Sequence, residues 1–369
     1  MGLSIGHGLG IPFQKSTSWS SYCTPLTITT AQITGGTRVN WTSQCTSEDG
    51  FEIWASIDGG DYILVDTVGE DVLSYDDMTD YGISSVTYRV RAYKGTVYSD
   101  FTESGQVANI DSDLTTYITG LATPLSDNQK IRLNTFVKSL KTGLAITNLS
   151  EYFDTLYILA GETEESALKN LAKNAHHCTA QNSPAFVQYE GYTGANTKYL
   201  DTNYNPSSQG VRFTQNNASY GVYSRTNGDT LNTPIGHYDA TKYAFMRLRS
   251  SNASYGHLNT NGTPYNNPPC TDSRGMFINT RDGAAISNAY FYINKTNNTT
   301  RINTGNTVGL VNNNIYILCR NGNGTAEAFD TSHQISFAFT GKYLTTDERD
   351  ILVDSFEAYM DANGKGVIA

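Results

Sequence analysis

A few groups of residues in this chain have types and spacings that could do chemistry. Gly2-Leu3-Ser4-Ile5-Gly6 matches G-x-S-x-G by letter. That motif works only where the serine sits on a sharp turn between a buried strand and a helix. With the serine at position 4, no strand is expected ahead of it, and no hydrolase follows. His176-His177-Cys178 carries metal-ligand types, but adjacent side chains do not converge on one ion, and the trio falls at a domain junction. Glycoside hydrolysis needs two carboxylates flanking one bond. The acidic clusters here, Glu162 to Glu165 and Asp347-Glu348-Arg349-Asp350, fall at helix starts, where they complement the macrodipole. Asp201, Asp229, Asp239 and Asp272 sit in turn-rich loops. One of them could bind calcium alongside carbonyl oxygens, but turn chemistry accounts for each more simply. The expectation is no catalytic residue, no metal and no cofactor.

Cysteine usage is sparse. Cys23, Cys45, Cys178, Cys270 and Cys319 are scattered, odd in number and without a C-x-x-C pair, which reads as reduced or buried thiols. Cys23 and Cys45 are the one pair worth testing for a bridge.

Charged residues make up only 16% of the 369, and the net charge is −10, so a phosphate-binding surface and a nucleic-acid partner are not expected. No apolar run approaches the roughly 18 residues of a membrane span, so no membrane role is expected and a soluble protein is. Tyr (25) outnumbers Phe (14), and Asn crowds the second half. Tyr, Asn, Thr, Ser and Gly suit strands joined by polar turns, and recognition surfaces as well.

The opening "MGLSIGHGLGIPFQK" is apolar and glycine-rich, with no Lys or Arg before Lys15. Gly6, His7, Gly8 and Gly10 interrupt the apolar run that a signal peptide needs. Gly6 also stands where myristoylation wants Ser or Thr. Leu3, Ile5, Leu9, Ile11 and Phe13 alternate with small or polar residues, as in a strand with one buried face. Gly6, Gly8 and Gly10 permit close backbone approach. Residues 1–22 therefore read as an arm that docks into something larger.

Residues 23–109 alternate with period two and are cut by turns. Asp58-Gly59-Gly60 is a hairpin signal, and Lys94-Gly95 joins a later pair of strands. Short strands at regular spacing predict a β-sandwich. With Trp41 in the second strand and Tyr88-Arg89-Val90-Arg91-Ala92 in the sixth, the segment resembles a fibronectin type III domain. That resemblance makes Trp41 and Tyr88 core residues and the domain a spacer or binding module.

From 110 to 175 the period turns helical. Ser126 with Gln129 predicts a capping box, and Leu133, Phe136, Val137, Leu140 and Leu144 form a stripe. Leu149, Phe153, Leu156, Tyr157 and Ala160 predict a second helix ended by Gly161. Thr163 predicts the cap of a third. These helices are expected to pack on the sandwich that follows.

Residues 176–369 return to short strands between Asn/Gly turns, and Thr345 or Thr346 predicts the cap of a closing helix with Leu352, Phe356 and Tyr359 on one face. The chain carries "LYILAGETEESALKNL", then "NSPAF", "GYTG" and "YLDTNYNP". These runs resemble a concanavalin/laminin-G-like jelly roll found in tailed-phage structural proteins. The opening stretch is also similar to those of crAss-like phage virion proteins. The expected fold is mainly β: N-terminal arm, fibronectin type III β-sandwich, short helical region, and laminin-G-like jelly-roll β-sandwich with a C-terminal helix.

The resemblance implies a virion structural protein, a head fibre or similar appendage assembled in the host cytoplasm. It further implies a homotrimer held to a capsid or tail protein through the arm. The alternatives are a tail appendage that binds a receptor and a bacterial surface carbohydrate-binding adhesion module. If the outer domain reads a host-surface glycan, loop tyrosines should stack on sugar faces, with Tyr220, Tyr223, Tyr238, Tyr255 and Tyr265 as candidates.

Overall fold

The computed structural model describes residues 19–368 apart from 34–35, 80, 82–84, 106, 109, 263–264 and 303–305. The arm residues Leu3, Ile5, Gly6, Gly8, Leu9, Gly10, Ile11 and Phe13 lie outside the described residues. The chain divides into two compact units, Met1–Asn109 and Ile110–Ala369.

The first unit opens with a short helix, α1 (Trp19–Tyr22). Its main strands are β1 (Thr27–Ile33), β2 (Gly36–Thr42), β3 (Gly50–Ile57), β4 (Tyr62–Gly69), β5 (Ser74–Asp77) and β6 (Ser85–Lys94). Three two-residue strands follow: β7 (Val97–Tyr98), β8 (Thr102–Glu103) and β9 (Val107–Ala108). One sheet runs β1-β2-β5. The other runs β4-β3-β6, with β7, β8 and β9 pairing on β6. This is the β-sandwich that the alternation predicts.

The period-two rule decides the core. Val39 and Trp41 from one sheet meet Phe51, Ile53, Ala55, Tyr88, Val90 and Ala92 from the other, all buried. The β3–β4 turn places Asp58 at φ 51° and Gly59 at φ 74°, the left-handed pair that a tight hairpin requires. Tyr88 spans the core, and its hydroxyl donates to Asp77 at 2.9 Å; Tyr81 donates to the same oxygen at 2.8 Å. Cys23 and Cys45 are joined in a disulfide, both sulfurs buried, while Cys178, Cys270 and Cys319 are buried free thiols.

Trp41 is 3% exposed and packs on Phe51 with ring centroids 5.5 Å apart. Trp41→Ala should cost the first unit about 3 kcal/mol, the low end for Trp in a core. The low end applies because its indole N–H is buried without a hydrogen-bond partner, a penalty that the truncation removes. Denaturation followed by the remaining Trp19 and Trp54 fluorescence checks this, and an unchanged midpoint would refute the core assignment.

In the second unit the helices are α2 (Ser112–Thr119), α3 (Asp127–Leu144), α4 (Glu164–Leu168), α5 (Pro206–Gln209) and α6 (Thr346–Ala362). The strands begin with β10 (Phe153–Tyr157), β11 (Thr179–Gln181), β12 (Ala185–Val187), β13 (Gly191–Thr193), β14 (Tyr199–Asp201) and β15 (Ala218–Ser224). They continue as β16 (Ile235–Tyr238), β17 (Tyr243–Ser250), β18 (Ala253–Gly256), β19 (Tyr265–Asn266), β20 (Gly275–Arg281) and β21 (Ala289–Ile293). The last are β22 (Thr296–Asn297), β23 (Arg301–Ile302), β24 (Tyr316–Ile317), β25 (Arg320–Gly322), β26 (Thr325–Glu327) and β27 (Gln334–Gly341).

They form two sheets. The inner sheet runs β12-β13-β27-β15-β20-β21-β22, with β10 also on β27. The outer runs β11-β14-β24-β16-β17-β18-β19-β23, with β25 on β16 and β26 on β25. Tyr220, Val222, Phe277, Phe291 and Ile335 of the inner sheet pack on Leu200, Ile235, Met246, Leu248 and Ile317 of the outer one. The opposite face of the inner sheet, with Tyr223, Met276, Ile278, Phe337 and Phe339, packs on α3 and α6 through Phe136, Val137, Leu140, Leu352, Phe356 and Tyr359. The order of layers is helices, inner sheet, outer sheet. This second sandwich thus carries its own helical cover.

Residues 110–175 belong to the same compact unit as the sandwich. Two sequence expectations are corrected here. The second helical stripe is not a helix: after a short 3₁₀ turn (Leu149–Glu151), residues 153–157 form β10, with every side chain buried. Phe153, Leu156 and Tyr157 stand at helical spacing, but Asp154 and Thr155 between them are buried too, and pairing to β27 makes the segment a strand. Ser126 does cap α3, accepting from the Gln129 N–H, but the Gln129 amide donates to the Tyr359 hydroxyl at 2.7 Å instead of returning to the cap. The caps at Thr163 and Thr345 form as expected, each in a capping box.

β10 also contributes a buried carboxylate. Asp154, 1% exposed, accepts from the N–H groups of Val211 (3.1 Å), Arg212 (2.9 Å) and Phe213 (2.8 Å), and from the Tyr204 hydroxyl (2.8 Å). Lys173 reaches its other oxygen at 3.2 Å. Burial pushes this carboxyl up, but the Phe213, Tyr204 and Arg212 hydrogen bonds and the Lys173 charge outweigh it and hold the group below its ordinary value.

Candidate binding face

The outer sheet's far side is only partly open: Tyr238, Tyr243, Arg247, Arg249 and Tyr255 are half-buried there, and Phe245 and His257 are 5% and 7% exposed. Along β17 the residues alternate: Ala244, Met246 and Leu248 point into the sandwich, and Tyr243, Phe245, Arg247 and Arg249 point away. Tyr238 of β16 lies directly opposite Tyr243 and stacks on it, with centroids 5.2 Å apart and planes 8° off parallel. Phe245 and His257 stack next to them at 4.5 Å, and Tyr243 lies 5.9 Å from His257.

Two glycines let these rings lie down. A Cβ on Gly236 would fall 2.2 Å from the Phe245 Cβ, and one on Gly322 would fall 2.7 Å from the Tyr238 ring. The rings fill the space that side chains would take. Arg320 stands over Tyr238 and Phe245 at 4.9 and 4.8 Å and pairs with Glu327 at 2.7 Å. Arg247 stands over Phe245 and Tyr255 at 5.8 and 5.7 Å. Burial, reinforced by the Arg247 and Arg320 charges, pushes His257 down to about 3, so it stays a neutral ring through the physiological range. The result is a row of aromatic faces bordered by guanidinium groups. It can stack against apolar ring faces and offer N–H donors to oxygens around them.

The structure sorts the five candidate tyrosines. Tyr238 and Tyr255 are on this face. Tyr220 and Tyr223 are not surface residues: both lie on β15, in the middle of the inner sheet, and are 2% and 0% exposed. Alternation sends Tyr220 toward the outer sheet, where its hydroxyl donates to the His257 carbonyl. Tyr223 points toward the helices, where its hydroxyl donates to Glu357. The Tyr265 side chain lies outside the described residues; its backbone is in β19. The candidate list missed Tyr243, Phe245, His257, Arg247 and Arg320. The alternation in "KYAFMRLRS" was the available signal.

The other candidates for chemistry have structural partners. Asp201, Asp239 and Asp272 each accept the backbone N–H two residues on, and Asp229 accepts from Ser251. His177 accepts from the Asn170 N–H, and burial pushes the Cys178 thiol up. Among the described residues no group of three His, Cys, Asp or Glu is placed to hold a metal ion.

One constellation had no sequence signal. His333 bridges Asp330 (2.8 Å) and Ser273 (3.0 Å), the base–orienter and nucleophile–base spacings of a hydrolytic triad. All three are 0% exposed. The Ser273 hydroxyl is enclosed by the Gly228 N–H, which donates to it at 2.8 Å, and by the Thr226 and Gly228 carbonyls. The neighbouring cleft of about 350 Å³ is lined by Cys270, Thr271, Asp272 and Arg274, not by Ser273. The group ties three chain segments together.

No family model matches this chain, and no curated protein does. Among solved structures, a computationally redesigned β-sandwich protein is 17% identical over 23% of this chain and 94% of its own, with a TM-score of 0.21. A Trypanosoma rangeli sialidase bound to 2,3-difluorosialic acid is 10% identical over 92% of this chain and 54% of its own, with a TM-score of 0.37. This chain therefore spans about half the length of that sialidase. A β-1,2-glucanase from Parabacteroides distasonis is 12% identical over 39% and 26%, with a TM-score of 0.19.

Proposed function

We propose that this chain is a non-enzymatic structural protein of a phage virion, a head fibre or similar appendage, whose second unit binds a surface glycan. The observation that carries the binding reading is the aromatic row on the outer sheet, where half-buried Tyr238, Tyr243 and Tyr255 reach solvent beside Arg247 and Arg320, and Phe245 and His257 are buried among them. Sugar rings present an apolar face that stacks on aromatics and hydroxyls that accept from guanidinium groups. The virion reading rests on the sequence resemblance of residues 156–205 to phage structural proteins.

A glycan array probed with the full chain tests the binding. Tyr243→Ala should weaken the best hit about 10- to 100-fold, the size of a lost central aromatic contact, while the melting temperature stays put. An array with no binding above background retires the glycan role. One observation favours a second reading, an adhesion module of a bacterial surface: the Cys23–Cys45 disulfide suits an oxidising compartment. Mass spectrometry of purified particles separates the two.

A further inference from the structure

We propose that the open edge of β4 in the first unit receives residues 3–11 of a second copy's N-terminal segment as an added strand. The inference does not depend on the glycan reading. β4 ends its sheet and pairs with β3 alone among the described residues, so its other edge presents unmatched backbone donors and acceptors. Natural edges are blunted by charged side chains, above all lysine, by proline, by a bulge or by a covering loop, and of these β4 has the exposed Asp66 and one bulge, opposite Ile53 and Trp54. β4, "YILVDTVG", has neither lysine nor proline, and Ile63 and Leu64 are 51% and 48% exposed. The turn that follows leaves Val72 and Leu73 exposed at 38% and 42%. Apolar side chains thus sit beside an unpaired edge eight residues long.

Charge selects the occupant. Residues 61–77 hold six carboxylates and no Lys or Arg, and Asp61, Asp66, Glu70 and Asp71 are exposed. Two copies of this edge facing each other would set like charges together, so edge-to-edge pairing is disfavoured. The nearest cations are committed: Arg38 to Asp76 at 2.6 Å, and Arg89 over the Tyr62 ring at 3.9 Å. Residues 1–18 contain no Asp or Glu, and carry His7 and Lys15. Leu3, Ile5, Leu9 and Ile11 recur at the strand period, over a length that matches β4. An apolar, acid-free strand is complementary to an apolar, acid-lined edge, and strand addition is an established way for a peptide to bind a sheet.

The test uses the full chain, a chain lacking residues 1–18, and a synthetic peptide of residues 1–15. The full chain should self-associate in sedimentation, and the shortened chain should be monomeric. The peptide should bind the shortened chain one-to-one, at least tenfold more weakly after Leu64→Lys and after Leu9→Asp in the peptide. Leu64 is half exposed, so the variant should melt with the parent. A monomeric full chain overturns the proposal, including the case where the segment docks on its own unit. So does an oligomer that survives the deletion, peptide binding indifferent to Leu64→Lys, or a segment that binds only a capsid or tail protein. Glycan binding by the second unit is read separately and stands or falls independently.

Discussion

Asp154→Ala should cost the second unit roughly 5 kcal/mol, a large share of the 5–15 kcal/mol that holds a typical domain together. The carboxylate is the acceptor for three backbone N–H groups in a row, at Val211, Arg212 and Phe213, and for the Tyr204 hydroxyl. Its removal strands these donors in a site where Asp154 is 1% exposed and Tyr204 fully buried, and leaves Lys173 without its partner. Each buried unmatched donor costs about 1–3 kcal/mol, and partial entry of water recovers some of it. All three tryptophans of the chain, Trp19, Trp41 and Trp54, are in the first unit, so their fluorescence cannot report this loss. Tyrosine near-ultraviolet dichroism during urea unfolding can. A midpoint unchanged by the substitution would mean that the loop at 211–213 finds other acceptors.

Between pH 7.5 and pH 5 the second unit should lose roughly 4 kcal/mol of stability, about 2 from each of two histidines. His237 is 0% exposed, and burial pushes it down to about 4 even though the Asn313 carbonyl at 2.9 Å favours its proton. His257 is pushed down to about 3. Both imidazoles stay neutral in the folded protein at pH 5, whereas in the unfolded chain they protonate near 6.5. The unfolded state then binds more protons, so stability falls as pH drops below about 6.5, and the loss stops growing as each folded-state value is reached. Asp154, held low, adds a further loss as pH falls from its unfolded value near 3.9 through its folded one. Glu357 works the other way, because burial raises it and its protonation favours the fold. The first unit is an internal control: of the six histidines only His7 precedes residue 110. Tryptophan-detected midpoints should therefore hold across this range while tyrosine-detected ones fall. Equal shifts in both would remove the histidines as the cause.

Much of the fold was legible because side-chain period and turn chemistry agreed locally. Trp41 and Tyr88 stand at alternating positions of strands with one buried face, and Thr163 and Thr345 precede runs that only a helix satisfies. β10 was not legible, because it is buried on both sides, polar Asp154 and Thr155 included, and its apolar Phe153, Leu156 and Tyr157 stand at helical spacing. The same cause misplaced Tyr220 and Tyr223. β15 is covered on one face by the outer sheet and on the other by helices, so neither of its faces is a surface. The binding face was half legible. Tyr238 and Tyr255 were visible as loop-flanking aromatics, but the row they join is assembled from β16, β17, β18 and β25, whose order only the fold reveals. The buried Ser273–His333–Asp330 group lies beyond sequence reading, since Ser273 is 60 residues from its partner.

The Cys23–Cys45 bridge has a mechanical consequence. Tension applied to the chain ahead of Trp19 enters the first unit at Cys23 and crosses by a covalent bond to Cys45. β1 and β2 lie wholly within the bypassed loop, so no pull from that side can peel them from the sandwich. The 21 residues between the two cysteines would otherwise pay out to about 75 Å when extended. With the bridge closed, that slack is withheld, and the unit behaves under load as a short, stiff link whose yield point lies among β3 to β6.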